Sequence, residues 1–164
     1  MFGQTNLKPS RGSWKLDNYF NVTANMTSAT WNTVASHEIA TVTGAVHLII
    51  LIEVVSTLTD AADGASIQFG VEGSTNALIG STGAAGAGGN TLNAGEWWID
   101  TTPTELVMTR GNLNTNLDFS VNAGRDVGYE ITGAALTGGT LRFHVFWEDL
   151  DGSGSVTAGT GGAL

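Results

Sequence analysis

From about residue 30 the chain alternates apolar and polar positions with a period of two. Ile67, Phe69 and Val71 alternate with Ser66, Gln68 and Gly70, and Leu117, Phe119 and Val121 with Asp118, Ser120 and Asn122. Val127, Tyr129 and Ile131 alternate with Asp126, Gly128 and Glu130; Leu141, Phe143, Val145 and Trp147 alternate with Arg142, His144, Phe146 and Glu148. Successive side chains of a strand point to opposite faces, so each run predicts a half-buried strand. Further strands are predicted near 30–34, 38–44, 46–56, 76–80, 96–101 and 105–109. Between them lie turn signals such as Asp63-Gly64, Glu72-Gly73-Ser74 and Gly138-Gly139. No window of about twelve residues carries the helical period. The predicted fold is all-β, an antiparallel β-sandwich of jelly-roll-like kind.

One strand departs from the alternation. Val46, Leu48, Ile50, Ile52 and Val54 form one parity and His47, Ile49, Leu51, Glu53 and Val55 the other, so both faces are mostly apolar. A strand apolar on both faces is covered on both. In a two-layer sandwich the outer cover must come from the chain's own N-terminal segment or from a neighbouring subunit. Ile49 and Leu51 are therefore candidate partner contacts. Phe146, on the polar parity of its strand, adds apolar surface of the same outward kind.

Charge changes the picture at the ends. Of 164 residues only 13% are charged, with 15 acidic and 6 basic residues and a net charge of −9. Lys8, Arg11 and Lys15 fall within the first seventeen positions against one carboxylate, Asp17, so residues 1–17 carry +2 and the remainder −11. Residues 1–29 read as an extended basic N-terminal arm, residues 30–150 as the sandwich domain, and residues 151–164 as a flexible Gly/Ser/Thr-rich tail. Lys8, Arg11, Trp14 and Lys15 are the arm's candidate partner contacts, Trp14 because a large aromatic favours docking. So acidic a body has no electrostatic grip on a phosphate backbone or an anionic membrane. The first fifteen residues lack the apolar stretch of a signal peptide, which points to a soluble chain made in a cytoplasm.

Candidate chemistry is sparse. The chain has no cysteine, which excludes disulfides and thiolate sites. His37, His47 and His144 are far apart without metal-ligand spacing, and no G-x-S-x-G elbow occurs. The glycine-rich stretch 80–89 lacks the Lys-Ser/Thr of a phosphate loop. Glu130, Asp118, Glu148 and Asp100 lie on the polar parity of predicted strands, the usual solvated face. No catalytic residue, cofactor or metal is assigned, and an enzyme is not expected. Asp149, Asp151 and Ser153 match the start of an EF-hand loop, but Thr160 stands where the bidentate Glu is required; the other reading is an Asp-Gly turn. Adjacent Trp97 and Trp98 point oppositely in a strand, and Trp98 is the one expected to be exposed, as a glycan contact.

Four stretches, TWNTVASHEIATVTGAV (30–46), QFGVEGSTNALIGST (68–82), AGEWWIDTTPT (94–104) and VGYEITGAALTGGTLRFHVFWEDL (127–150), resemble small structural proteins of tailed bacteriophages. The resemblance implies a β-sandwich virion protein of the capsid decoration, or cement, type. It further implies a homotrimer that binds the major capsid protein on the capsid exterior and is assembled in the host cytoplasm, with terminal arms gripping neighbouring subunits. The alternative is a phage tail or baseplate component, or a carbohydrate-binding β-sandwich module.

Overall fold

A computed structural model describes residues 18–85, 91–103, 105, 117–122 and 124–164. Its strands are β1 (Tyr19–Asn25), β2 (Ser36–Thr43), β3 (Val46–Asp60), β4 (Ser66–Val71), β5 (Ser74–Gly83), β6 (Asp118–Val121), β7 (Val127–Thr132), β8 (Leu136–Asp149) and β9 (Ser155–Ala158), with one short helix, α1 (Ala29–Asn32). The strands form two antiparallel sheets, ordered β1-β8-β3-β6 and β5-β4-β7-β2-β9. Among the described strands the chain crosses between sheets at every connection except the β4–β5 hairpin, the connectivity of a jelly-roll-like sandwich.

The inward parity of β3, from Val46 through Val54, is fully buried. Phe143 of β8 lies 5.6 Å from Tyr129 of β7 and 5.9 Å from Phe69 of β4, both stacked, so three aromatic rings lock the sheets face to face. The Tyr129 hydroxyl does not strand a polar atom there, because it donates to the Trp31 carbonyl at 2.7 Å.

The expected boundaries need correction at both ends. Residues 19–25, assigned to an arm over 1–29, form edge strand β1 in seven-residue register with β8. Val22, Ala24 and Met26 point into the core, which supplies the reason. The tail expected to be flexible over 151–164 contains β9, paired with β2, and beyond it Gly161 N donates to Glu38 O and Leu164 N to Ser36 Oγ. The strand expected at 30–34 is instead the single turn α1, whose first amides are met by Ser28 Oγ accepting from Thr30 N. The strand expected at 96–101 makes one bridge, Glu53↔Trp97. Since β6 covers only Val46–Ile49 of β3, residues 92–98 complete that edge with separate hydrogen bonds, among them Trp98 N to Ile52 O and Val54 N to Glu96 O. Of 105–109, only Glu105 is among the described residues.

Candidate partner-docking face

The register of the four-stranded sheet dictates its outer face. One row runs Tyr19, Phe146, Ile49, Asp118; the next Asn21, His144, Leu51; the next Thr23, Arg142, Glu53 and then Trp97. Ile49 and Leu51, the predicted contacts on β3, stand on this face and are half-buried, while their neighbours Leu48, Ile50 and Ile52 are fully buried inward. Tyr19 stacks on Phe146 with centroids 4.8 Å apart and is itself 46% exposed. Trp97 lies 6.1 Å from the His144 ring. The result is an aromatic and aliphatic strip on the outside of an acidic protein, of the kind that marks interaction surfaces.

Polar groups are embedded in that strip. Arg142 donates to Glu53 Oε2 at 3.0 Å, and His144 Nε2 lies 3.1 Å from the same oxygen. A carboxylate only accepts, so Nε2 carries a proton, while Nδ1 lies 2.9 Å from the Tyr19 hydroxyl. This chain ties β1, β8 and β3 together and fixes the orientation of the exposed ring of Tyr19. At the far edge His47 Nε2 sits 2.8 Å from Asp118 and its Nδ1 3.2 Å from Ser120 Oγ. Asp118 and Ser120 are two apart on β6 and so share a face, with His47 opposite on β3. The residue types are those of a hydrolytic triad, but the group lies on the outward surface of an edge strand in contact with solvent. A triad works from a dry site with donors aimed at an oxyanion; here the cluster clamps the short strand β6 onto β3. Neither cluster was visible in the sequence, because His47 and Asp118 are far apart until the register is known.

The other predicted residues fall as follows. Lys8, Arg11, Trp14 and Lys15 lie outside the described residues. Trp98, expected exposed, is fully buried, with its Nε1–H donating to Thr82 Oγ1 at 3.1 Å and its ring edge-on to Phe69. The opposition of the two tryptophans holds with the faces exchanged, so Trp97 is the outward ring. In the β8–β9 loop, Asp149 Oδ1 accepts from the amides of Asp151, Gly152 and Gly154, and Asp151 Oδ1 accepts from Ser153 N and Oγ. The Ser153 amide and hydroxyl, with the Ala45 amide, hold the Asp151 carboxyl below its ordinary range. The carboxylates close an Asp-Gly turn, with Gly152 at φ 83°. Among the described residues no group of three His, Cys, Asp or Glu side chains gathers about a common point. His37 is buried, its Nε2 2.9 Å from Thr33 O and its Nδ1 3.4 Å from Gly161 O. A groove of about 430 Å³ opens near Val71, Leu78 and Phe119.

Comparison with protein families, with curated proteins and with solved structures returned no match.

Proposed function

We propose that this chain is a structural protein of a tailed-phage virion, a capsid decoration protein that attaches to the major capsid protein as a homotrimer and cements the shell. The observation that carries the reading is the outer face of the β1-β8-β3-β6 sheet, where Ile49, Leu51, Phe146 and Trp97 lie on the outside of a net-acidic sandwich. Residues 1–17, with a net charge of +2, precede β1, the edge strand of that same sheet. The resemblance of residues 30–150 to small phage structural proteins agrees. Such a role needs a rigid scaffold and contact area and no turnover. Buried area across capsomer boundaries raises the free energy of separating them. The test is native mass spectrometry followed by addition to phage heads lacking the protein. A species of about 51 kDa, three times 16.9 kDa, that binds heads and raises their disruption temperature is expected. A monomer that leaves heads unbound would overturn the reading.

A second reading, a carbohydrate-binding module, draws on Trp97. An outward indole beside Glu53, Arg142 and His144 combines a stacking surface with hydrogen-bonding groups. Glycan binding lost in Trp97→Ala would favour it over the first.

A further inference from the structure

The free edge of β1 lacks the features that keep sheet edges apart. Among the described residues the two sheets end in β1, β6, β5 and β9. β6 and β9 are short, and β6 carries Asp118. β5 is longer, but its register with β4 shifts twice. β1 alone is both long and regular, seven residues in unbroken register with β8. Tyr19-Phe20-Asn21-Val22-Thr23-Ala24-Asn25 has no charge, no proline and no bulge, the devices by which edge strands avoid pairing.

The hydrogen-bond phase decides which groups that edge offers. Trp147 N donates to Asn18 O at 3.2 Å and Met26 N to Gly139 O at 3.0 Å, so the even-numbered residues face β8. The N–H and C=O groups of Tyr19, Asn21, Thr23 and Asn25 therefore point away from the sheet. Asn25 O is taken by Ser28 N at 3.0 Å, and no described residue outside the ladder bonds the backbone of the other three. An extended chain is what supplies donors and acceptors at that spacing.

We infer that this edge pairs antiparallel with β1 of a second copy, about a two-fold axis at Asn21. That centre sets Asn21 opposite Asn21 and Tyr19 opposite the second copy's Thr23, and it uses only backbone groups left over by the β8 ladder and Ser28. A centre at Val22 would instead draw on Asn25 O. Directly opposed residues share a face, so the outer faces of the two copies join, and half-buried Phe20 meets Val22 on the inner side. The strand brings no charge to the contact, although each chain carries −9. Such a contact is isologous and closes on itself. It is separate from any contact that builds a trimer, goes beyond the reading above and does not rest on it. So short a ladder buries far less than the roughly 1,200 Å² of a stable interface. It forms where copies are concentrated or already held side by side.

The chain has no cysteine, so one substitution reports the contact. In the full chain Asn21→Cys puts two thiols across the axis, where opposed Cα atoms are about 5.5 Å apart, within disulfide range. Thr23→Cys is also exposed, but in the paired strands its counterpart lies about 13 Å further along at ~3.4 Å per residue. Mild oxidation at high protein concentration is expected to link Asn21→Cys into a dimer of about 34 kDa, twice 16.9 kDa, and to link Thr23→Cys several-fold less. Equal linking of the two would mean random collision and would overturn the inference. The unsubstituted chain supplies the second measurement. Hydrogen exchange at the Tyr19, Asn21 and Thr23 amides should slow several-fold between micromolar and millimolar protein, while the Val22 and Ala24 amides stay protected throughout. Asn21→Lys sets like charges on the axis at an exposed position and should remove that concentration dependence. Fast exchange at both concentrations would overturn the inference by leaving the edge open. Full protection already at the lower concentration would overturn it by assigning the edge to the chain's own segment or to another partner.

Discussion

Tyr129 shows how one residue serves two structures at once. Its ring stacks on Phe143 across the sandwich, while its hydroxyl fastens the turn at α1 through Trp31 O. Tyr129→Phe keeps the first and removes the second, leaving a carbonyl without its donor, and should cost about 1–2 kcal/mol in urea unfolding. Burial pushes the Tyr129 hydroxyl far above its ordinary value of 10.0. The folded chain therefore keeps a proton that the unfolded chain releases in alkali. Stability should be full below about pH 10 and fall as pH rises beyond it. Tyr129→Phe should flatten that alkaline decline, as read from denaturation midpoints at pH 8–11. Gly128 is a second single-residue constraint. A Cβ there would meet His37 O at 2.1 Å, a backbone atom of the adjacent strand. Gly128→Ala should cost roughly 3 kcal/mol, because only opening β2 from β7 makes room.

Elements with a long alternating pattern were legible in the sequence, and those defined by their surroundings were not. β4, β7 and β8 follow the period of two; β3, apolar on both parities and expected to be covered on both, has one fully buried face and one half-buried face in the single chain. β1 was hidden because Tyr19 and Phe20 sit beside polar Asn18, Asn21 and Asn25, and its inward side chains include the small Ala24. β9 is four residues of Ser, Val, Thr and Ala, which on their own resemble any tail. The outward strip was half legible. Ile49 and Leu51 break an alternation, whereas the partnership of Glu53 with His144 and Arg142 needs the β3–β8 register. The turn after β3 carries its own prediction. Desolvation opposes ionisation of Asp60 and is the largest single effect, but the amides of Ala65, Asp63, Gly64 and Ala62 together outweigh it and hold the carboxyl below its ordinary 3.8. Asp151 is shifted the same way by Ser153. Both contribute stability that is present above about pH 4 and lost as pH falls through their folded-state values. Acid titration followed by circular dichroism should show that loss, and Asp60→Asn should reduce its steepness.

At the scale of the molecule, an acidic sandwich is preceded in sequence by a basic segment of opposite charge. Replacing Ile49 or Leu51 by Asp places a charge within the apolar strip. Where that strip is buried against a partner, an unpaired charge costs about 3–5 kcal/mol. The variants should run as monomers in sedimentation velocity while retaining the β-sheet spectrum. Deleting residues 1–17 should leave the body folded, since among the described residues the buried core begins at Val22, and should weaken attachment to the partner. Part of that attachment should fade with added salt, because screening acts on exposed charges.

The basic segment is joined to the body through β1, an edge strand held to β8 along a seven-residue register. Antiparallel hydrogen bonds lie across the strands. Tension drawn along β1 from Asn18 therefore loads the whole ladder in shear. Tension drawn away from the sheet peels it one pair at a time. In mechanical terms the β1–β8 junction is directional, strong when pulled in line with the strands and weak when lifted away from the sheet.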